Sequence, residues 1–297
     1  MRIVMAGSSG FLGTALRRRL TTGGHDVIQL VRREPTAPDQ RRWNPDQGDL
    51  DPQVLAGAGA VINLAGAGVA DKRWDAAFKA TLVASRVDPT TTLARTMTAL
   101  PAGQRPPVLI NSSAVGYYGD TGDLAVDEDA PPGEGYFPEL CQVWEKAADA
   151  ASDAGVRVVK IRTGLVLDAR GGLLKPLVQL FQFGLGGKIG DGRQFMPLIS
   201  MHDWLAATIF VLDRADVTGP VNLVGPEPVR NADFTRALGR ALHRPTVFPT
   251  PKFGVRLVLG EFGPESYASQ RVLPGVLNRS GFTFRDGDLD AAIAAAL

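Results

Sequence analysis

One cysteine, Cys141, in 297 residues leaves no intrachain disulfide and no thiolate metal cluster. Histidine is nearly as scarce: His25, His202 and His243 are scattered without ligand spacing, which argues against a zinc centre. No apolar run approaches the length of a membrane span, and the chain opens on a strand pattern instead of a charged and then apolar leader. A cytoplasmic protein with no membrane partner is expected. Net charge is +1, so no long-range attraction to nucleic acid is built in. The one basic run, Arg17-Arg18-Arg19, reads as the solvent face of a helix. What is present is the balance of a packed globular domain, 44% hydrophobic and 21% charged residues.

The chain begins with a short apolar strand, residues 2–6, that runs directly into Gly7-x-x-Gly10-x-x-Gly13. Leu12, Leu16 and Leu20 then recur at helical spacing. Strand, glycine turn and helix N-terminus form the arrangement that holds a dinucleotide pyrophosphate. Gly7 permits the tight turn, Gly10 lets the backbone approach phosphate, and Gly13 lets helix and strand pack closely. Free N–H groups of Ser9, Gly10, Phe11 and Leu12 and the positive end of the helix dipole meet the anion. No Gly-Lys-Ser/Thr follows the glycines, so this is not a phosphate-loop nucleotidase.

The second strand, 26–32, bears on which dinucleotide. An acid about twenty residues beyond the glycines would accept ribose hydroxyls, as NAD enzymes require. That place holds Arg32 and Arg33, with Glu34 too late in the chain to replace the acid. A guanidinium can clamp a 2′-phosphate that a carboxylate would repel. NADP(H) is the expected cofactor, with Arg32 at the 2′-phosphate.

Further apolar runs at 60–64, 108–111, 156–161 and 221–224 read as buried parallel strands separated by helical patterns, one of them the apolar stripe at 138–155. The expected architecture is an α/β fold with a Rossmann-type doubly wound parallel sheet and a small C-terminal substrate-side lobe. Residues 1–166 with 201–225 make the NADP(H)-binding domain, and 167–200 with 226–297 make the lobe. A glycine-rich stretch at 171–198 reads as a substrate-side loop or a flexible connection, and Asn231 as the cap of a helix with Asp233 in its first turn.

Taken together these motifs resemble the extended short-chain dehydrogenase/reductase superfamily. Asn63-Leu64-Ala65-Gly66 resembles its motif beside the adenine ribose, and Ser112-Ser113-Ala114-Val115-Gly116-Tyr117-Tyr118-Gly119 its catalytic-serine strand. Ile199-Ser200-Met201-His202-Asp203 resembles its strand-to-helix junction, with Asp203 expected to cap the helix. Arg73-Trp74, Ser85-Arg86, Trp144-Glu145, Arg162-Thr163-Gly164-Leu165-Val166-Leu167, Gly192-Arg193-Gln194-Phe195 and Ser269-Gln270-Arg271-Val272-Leu273-Pro274 narrow the likeness to an atypical subgroup. That subgroup is called the epimerase family, or nucleoside-diphosphate-sugar epimerase-like proteins, and the likeness covers essentially the whole chain.

The resemblance implies cofactor contacts from Leu64, Ala65, Gly66, Arg86 and Val166, and a substrate oxygen held by Ser113. It also implies a Tyr-x-x-x-Lys pair whose tyrosine shuttles the proton. Here the pair is absent. That spacing falls on Cys141 and Glu145, while Tyr117, Tyr118, Tyr136 and Tyr267 are followed at +4 by Thr121, Gly122, Leu140 and Arg271. Lys146 lies one position off, about 100° around the helix. Tyr117 or Tyr118 is the candidate acid/base beside Ser113. Cys141 is a less favoured donor than a small buried residue, and Glu145 is an acceptor for ribose hydroxyls. Arg193, Gln194 and Arg271 are candidates for a small-molecule substrate, a nucleotide sugar or another carbonyl compound. Two functions stand: an NADP(H)-dependent oxidoreductase or epimerase-like enzyme, and an NADP(H)-binding regulatory or sensor protein with little catalysis.

Overall fold

A computed structural model describes every residue except Lys252, Gly254, Arg256, Val258 and Leu259. Its strands, in chain order, are β1 (Arg2–Ala6), β2 (Asp26–Val31), β3 (Gln40–Arg42), β4 (Ala60–Asn63), β5 (Val108–Ala114) and β6 (Arg157–Thr163). There follow β7 (Leu165–Leu167), β8 (Phe195–Met196), β9 (Leu198–Ser200), β10 (Gly219–Leu223) and β11 (Val229–Arg230). The central sheet has seven strands in the order β3-β2-β1-β4-β5-β6-β10, every pairing parallel. The order reverses between β1 and β4, and the crevice beyond their carboxyl ends is where an open sheet of this kind binds ligands. The Rossmann-type sheet expected from the sequence is present.

Helices cover both faces: α1 (Phe11–Thr22), α2 (Pro52–Leu55), α3 (Ala76–Ala99), α4 (Tyr136–Lys146), α5 (Asp149–Asp153), α6 (Leu174–Gln182), α7 (Met201–Asp213) and α8 (Asn231–Ala241). Successive strand residues point to opposite faces, so one apolar run serves two layers. Ile3, Met5, Ile62, Ile110 and Ile161 pack with Leu16, Leu20, Trp204 and Val211 of α1 and α7. Val4, Ala6, Val61, Leu109 and Val158 pack with Leu93, Ala94 and Met97 of α3. A separate core joins Leu167, Leu174, Phe181, Leu198, Phe234, Leu238 and Ile293, drawn from the segments read as the lobe. Val276, Leu277, Phe282 and Phe284 lie within the same C-terminal stretch but pack on the sheet core beside α7.

Local readings are corrected in four places. The stripe at 138–155 is broken, because the Ala148 N–H bonds the Glu145 carbonyl three residues back and closes a tight turn between α4 and α5. The glycine-rich stretch is not all loop; α6 occupies Leu174–Gln182 with Phe181 turned inward. Arg230, not Asn231, is the cap of α8. The Asn231 side chain instead accepts the Ile189 N–H at 2.8 Å, tying the glycine-rich segment to the helix. Ser200 caps α7 by accepting the Asp203 N–H, while the Asp203 carboxylate receives the N–H groups of Arg285 and Asp286 at 2.9 Å each. At Asn231 and Asp203 a side chain that could cap locally is claimed by a distant backbone group.

The glycine turn yields a test. A Cβ on Gly13 would overlap the Gly7 carbonyl oxygen, whereas one on Gly10 would find its nearest neighbour at 3.5 Å. Gly13→Ala is expected to cost at least about 2 kcal/mol in urea unfolding, and Gly10→Ala about 1 kcal/mol or less.

Candidate active site

Gly7 carries φ +73°, and a Cβ there would overlap the Leu64 backbone, so glycine alone lets β1 end this close to the loop after β4. Gly10 stands in extended conformation ahead of α1, whose first turn has no side-chain cap and no acidic residue. Its N–H groups and dipole therefore face the crevice unopposed. Ser9 and Gly10 are exposed and Phe11 and Leu12 half-buried. Phe11 lies under Gly171 and Gly172, which leave room for its ring where a Cβ would intrude.

The loop after β4 is held by buried amides. Asn63 accepts the Ala65 N–H at 3.1 Å and donates to Asn111 at 2.8 Å and Thr90 at 3.0 Å. Trp144 donates to the same Thr90 hydroxyl. Leu64, Ala65 and Gly66 are thereby presented at the sheet edge. Arg86 is buried and donates to the carbonyls of Leu82 and Ala67 at 3.1 and 3.0 Å, with its guanidinium 5.1 Å from the Trp144 ring. Burial lowers its pKa. Its Nη1 and Nη2 groups thus brace α3 and the Ala67 carbonyl of the loop. Val166 is buried in the core beside the sheet.

At the carboxyl end of β5 the structure assembles a charged network that the sequence did not disclose. Arg162, on the neighbouring β6, is 3% exposed and bonds both oxygens of Glu145, at 2.8 and 2.9 Å. Ser113 donates to the same carboxylate at 2.6 Å. Arg162 also donates to the Tyr118 hydroxyl at 2.9 Å, and Tyr118 donates to Asn222 at 2.8 Å. Its guanidinium lies 3.5 Å from the centre of the Tyr117 ring, a stacked contact. Burial works against the Arg162 charge, but the Glu145 bonds outweigh it and its pKa is raised. Glu145 is therefore the counter-ion of Arg162, not an open acceptor for ribose.

The two candidate tyrosines differ. Tyr118 is buried, both sides of its hydroxyl are engaged, and burial pushes its pKa to about 12 despite Arg162 and Asn222. Tyr117 is half-buried, and its hydroxyl makes no hydrogen bond among the described residues. Burial beside Glu145 likewise raises the Cys141 thiol to about 12, so it stays protonated and inert.

The remaining candidates lie around this centre. Arg32 follows β2 directly, more than half exposed, 3.6 Å from the exposed Asp46. Arg193 is exposed and Gln194 buried, with its amide on the Ile189 carbonyl. Arg271 and Arg230 lie against the Phe195 ring at 5.2 and 4.2 Å. Sequence reasoning missed Gln270, whose amide donates to the Val115 and Gly119 carbonyls on either side of the tyrosine turn. The scattered histidines gain partners in space: His202 Nδ1 stands 3.4 Å from Asp203 and 3.8 Å from Asp286.

Residues 3–225 match the NAD dependent epimerase/dehydratase family, and residues 250–296 match a domain of unknown function, DUF1731. The chain belongs to the NAD dependent epimerase/dehydratase family. Epimerase family protein MT2273 of Mycobacterium tuberculosis is 43% identical over 295 residues, 99% of this chain and 97% of that one. The crystal structure of human epimerase family protein SDR39U1 (isoform 2) with NADPH matches with a TM-score of 0.92 at 32% identity, covering 100% of this chain and 99% of that one. The nucleoside-diphosphate sugar epimerase from Corynebacterium glutamicum matches at 0.83 and 37% identity, covering 100% of this chain and 58% of that longer one. The resemblance to extended short-chain dehydrogenase/reductases holds for this member of the family.

Two measurements test the network. Glu145→Ala strands a buried guanidinium and is expected to cost about 3–5 kcal/mol in urea unfolding, much of it restored in Glu145→Leu/Arg162→Met. Tyr118 has a folded-state pKa raised from 10.0 to about 12, so its contribution is intact below pH 10 and is lost as pH climbs toward 12. Stability should fall by on the order of 2 kcal/mol over that window, and Tyr118→Phe should flatten the slope.

Proposed function

We propose that this family member is a cytoplasmic NADPH-dependent oxidoreductase acting on a small carbonyl compound, with Tyr117 as proton donor and Ser113 orienting the substrate oxygen. The observation that carries the reading is Tyr117, whose ring is stacked on the buried cation Arg162 and whose hydroxyl has no hydrogen-bond partner among the described residues. The surroundings fit the cofactor. The α1 N-terminus lacks a side-chain cap, and a Cβ added at Gly10 would meet nothing nearer than the Gly7 carbonyl oxygen at 3.5 Å. Among the described residues Arg32 is held by one exposed ion pair, weak enough to exchange Asp46 for a 2′-phosphate. NADPH in the human relative's crystal structure supports the same choice.

When bound, NADPH supplies a hydride to the carbonyl carbon. The chain supplies the proton and the geometry. Ser113 donates its hydroxyl proton to Glu145 at rest, and on substrate binding it would turn that proton to the carbonyl oxygen and hold it for Tyr117. Tyr117 donates its phenolic proton to that oxygen, so the carbonyl becomes an alcohol, and the phenolate is reprotonated from solvent. Arg162, against the ring face, offsets the phenolate charge that develops. Gln270 keeps the turn in place through the Val115 and Gly119 carbonyls.

Calorimetric titration of NADPH and NADH against wild type and Arg32→Ala tests the cofactor: NADPH affinity should drop at least about tenfold and NADH affinity stay level. Turnover of a carbonyl panel tests the chemistry. Tyr117→Phe should lower it at least about 100-fold with NADPH affinity intact, and Ser113→Ala should lower it as well. Tight NADPH binding without consumption by any carbonyl would favour the sensor reading, which the absent Tyr-x-x-x-Lys pair motivates.

A further inference from the structure

Beside the tyrosine turn a cavity of about 530 Å³ opens between the start of α3 and the C-terminal segment, lined by Arg73, Trp74, Phe253, Leu257, Gly260 and Glu261. Its volume suits a small-molecule ligand. One wall is Trp74, buried and fixed by its indole N–H on the Val69 carbonyl at 2.8 Å. Trp74 meets Tyr136, Phe137 and Phe262 with ring centres 5.0, 5.3 and 5.3 Å apart, a rigid aromatic block. Phe137 in turn lies against Gly116, where an added Cβ would stand 3.1 Å from the Phe137 Cβ. The cavity wall is thus one ring away from the residue that precedes Tyr117. Across from Trp74, Phe253 and Leu257 leave 76% and 73% of their surface in water, large apolar faces that an apolar ligand would cover.

The charges at the mouth are unequal. Glu261 is neutralised by Lys79, which also lies 5.7 and 5.5 Å from the Trp74 and Tyr136 ring centres. Arg73 makes no ion pair or hydrogen bond among the described residues. It packs over Gly260, which at φ +63° leaves the guanidinium room that a side chain would take. One available cation and apolar walls suit a single carboxylate on an apolar body, not a diphosphate on a sugar.

We propose that this cavity binds the substrate as an apolar carbonyl compound ending in a carboxylate, its body among Trp74, Phe253 and Leu257 and its carboxylate on Arg73. The substrate role rests on the oxidoreductase reading; binding does not. The test titrates decanoate, decanol and UDP by calorimetry into wild type, Arg73→Ala and Leu257→Asp, with and without NADPH. Both substitutions are at exposed positions, and NADPH affinity in each variant reports that the fold is kept. Decanoate should bind wild type at least roughly tenfold tighter than decanol, and Arg73→Ala should erase that preference. Leu257→Asp should weaken decanoate at least roughly tenfold. Equal binding of acid and alcohol, indifference to both substitutions, or binding of UDP without decanoate overturns the proposal. NADPH binding without decanoate binding fails the cavity alone, and decanoate binding without NADPH binding fails the cofactor reading alone.

Discussion

Arg162 enters the carboxyl edge of the sheet from β6 with almost none of its surface in water, and a guanidinium in that position must be met by an anion. Glu145 meets it from α4, with both oxygens engaged. This pair decides what the neighbouring positions can be. In the superfamily that the chain resembles, the helix after the serine strand supplies a cation beside the reactive tyrosine. A lysine at 145 would here confront Arg162 in a low-dielectric site. With the cation delivered by the strand, the helix must deliver the carboxylate. The departure from Tyr-x-x-x-Lys is then one rearrangement of charge, not the loss of two separate residues.

The same pair sets the tyrosines apart. Arg162 spends one donor on Tyr118 and its flat face on Tyr117. The first contact, with Asn222 on the far side, makes Tyr118 a strut between β6, β10 and the turn. The second fixes the Tyr117 ring without consuming its hydroxyl. A cation can serve both purposes because guanidinium offers in-plane donors and a π-like face in separate directions. Lysine, a point charge on a flexible stem, could not divide its interactions in this way.

The glycine turn, the parallel strands and the superfamily were legible because each is written in local spacing: glycines at fixed offsets, apolar runs, a helical stripe. The network was not. Arg162 read only as the first residue of a family motif and Glu145 as a ribose acceptor, since periodicity assigns a residue to a face but does not say which residue stands opposite. The caps at Asp203 and Asn231 failed for the same reason. Asp203 reaches Arg285 and Asp286, and Asn231 reaches Ile189, partners that no local pattern announces. Arg86 was read as a phosphate ligand from its family position, and its bonds to the carbonyls of Leu82 and Ala67 are a further role that spacing did not announce. Arg32, whose reading needed only its place after β2, is exposed and lies 3.6 Å from Asp46.

The C-terminal segment is tied into this centre at several points. Gln270 bonds the two carbonyls flanking the tyrosine turn, and Ser269 bonds the Gly122 carbonyl and the Phe195 N–H. Glu128 accepts the N–H of Asn222 on one oxygen and of Val276 on the other, joining β10 to the helix Gly275–Arg279. Burial raises the Glu128 pKa, so these bonds hold a carboxylate against a desolvation cost. Such a carboxylate makes sense only if the two backbone amides need fixing more than the site needs dryness. Asn222 is the residue that accepts from Tyr118. The position of the tail is thereby transmitted through Glu128, Asn222 and Tyr118 to Arg162, and the region matching a domain of unknown function is physically part of the candidate active site.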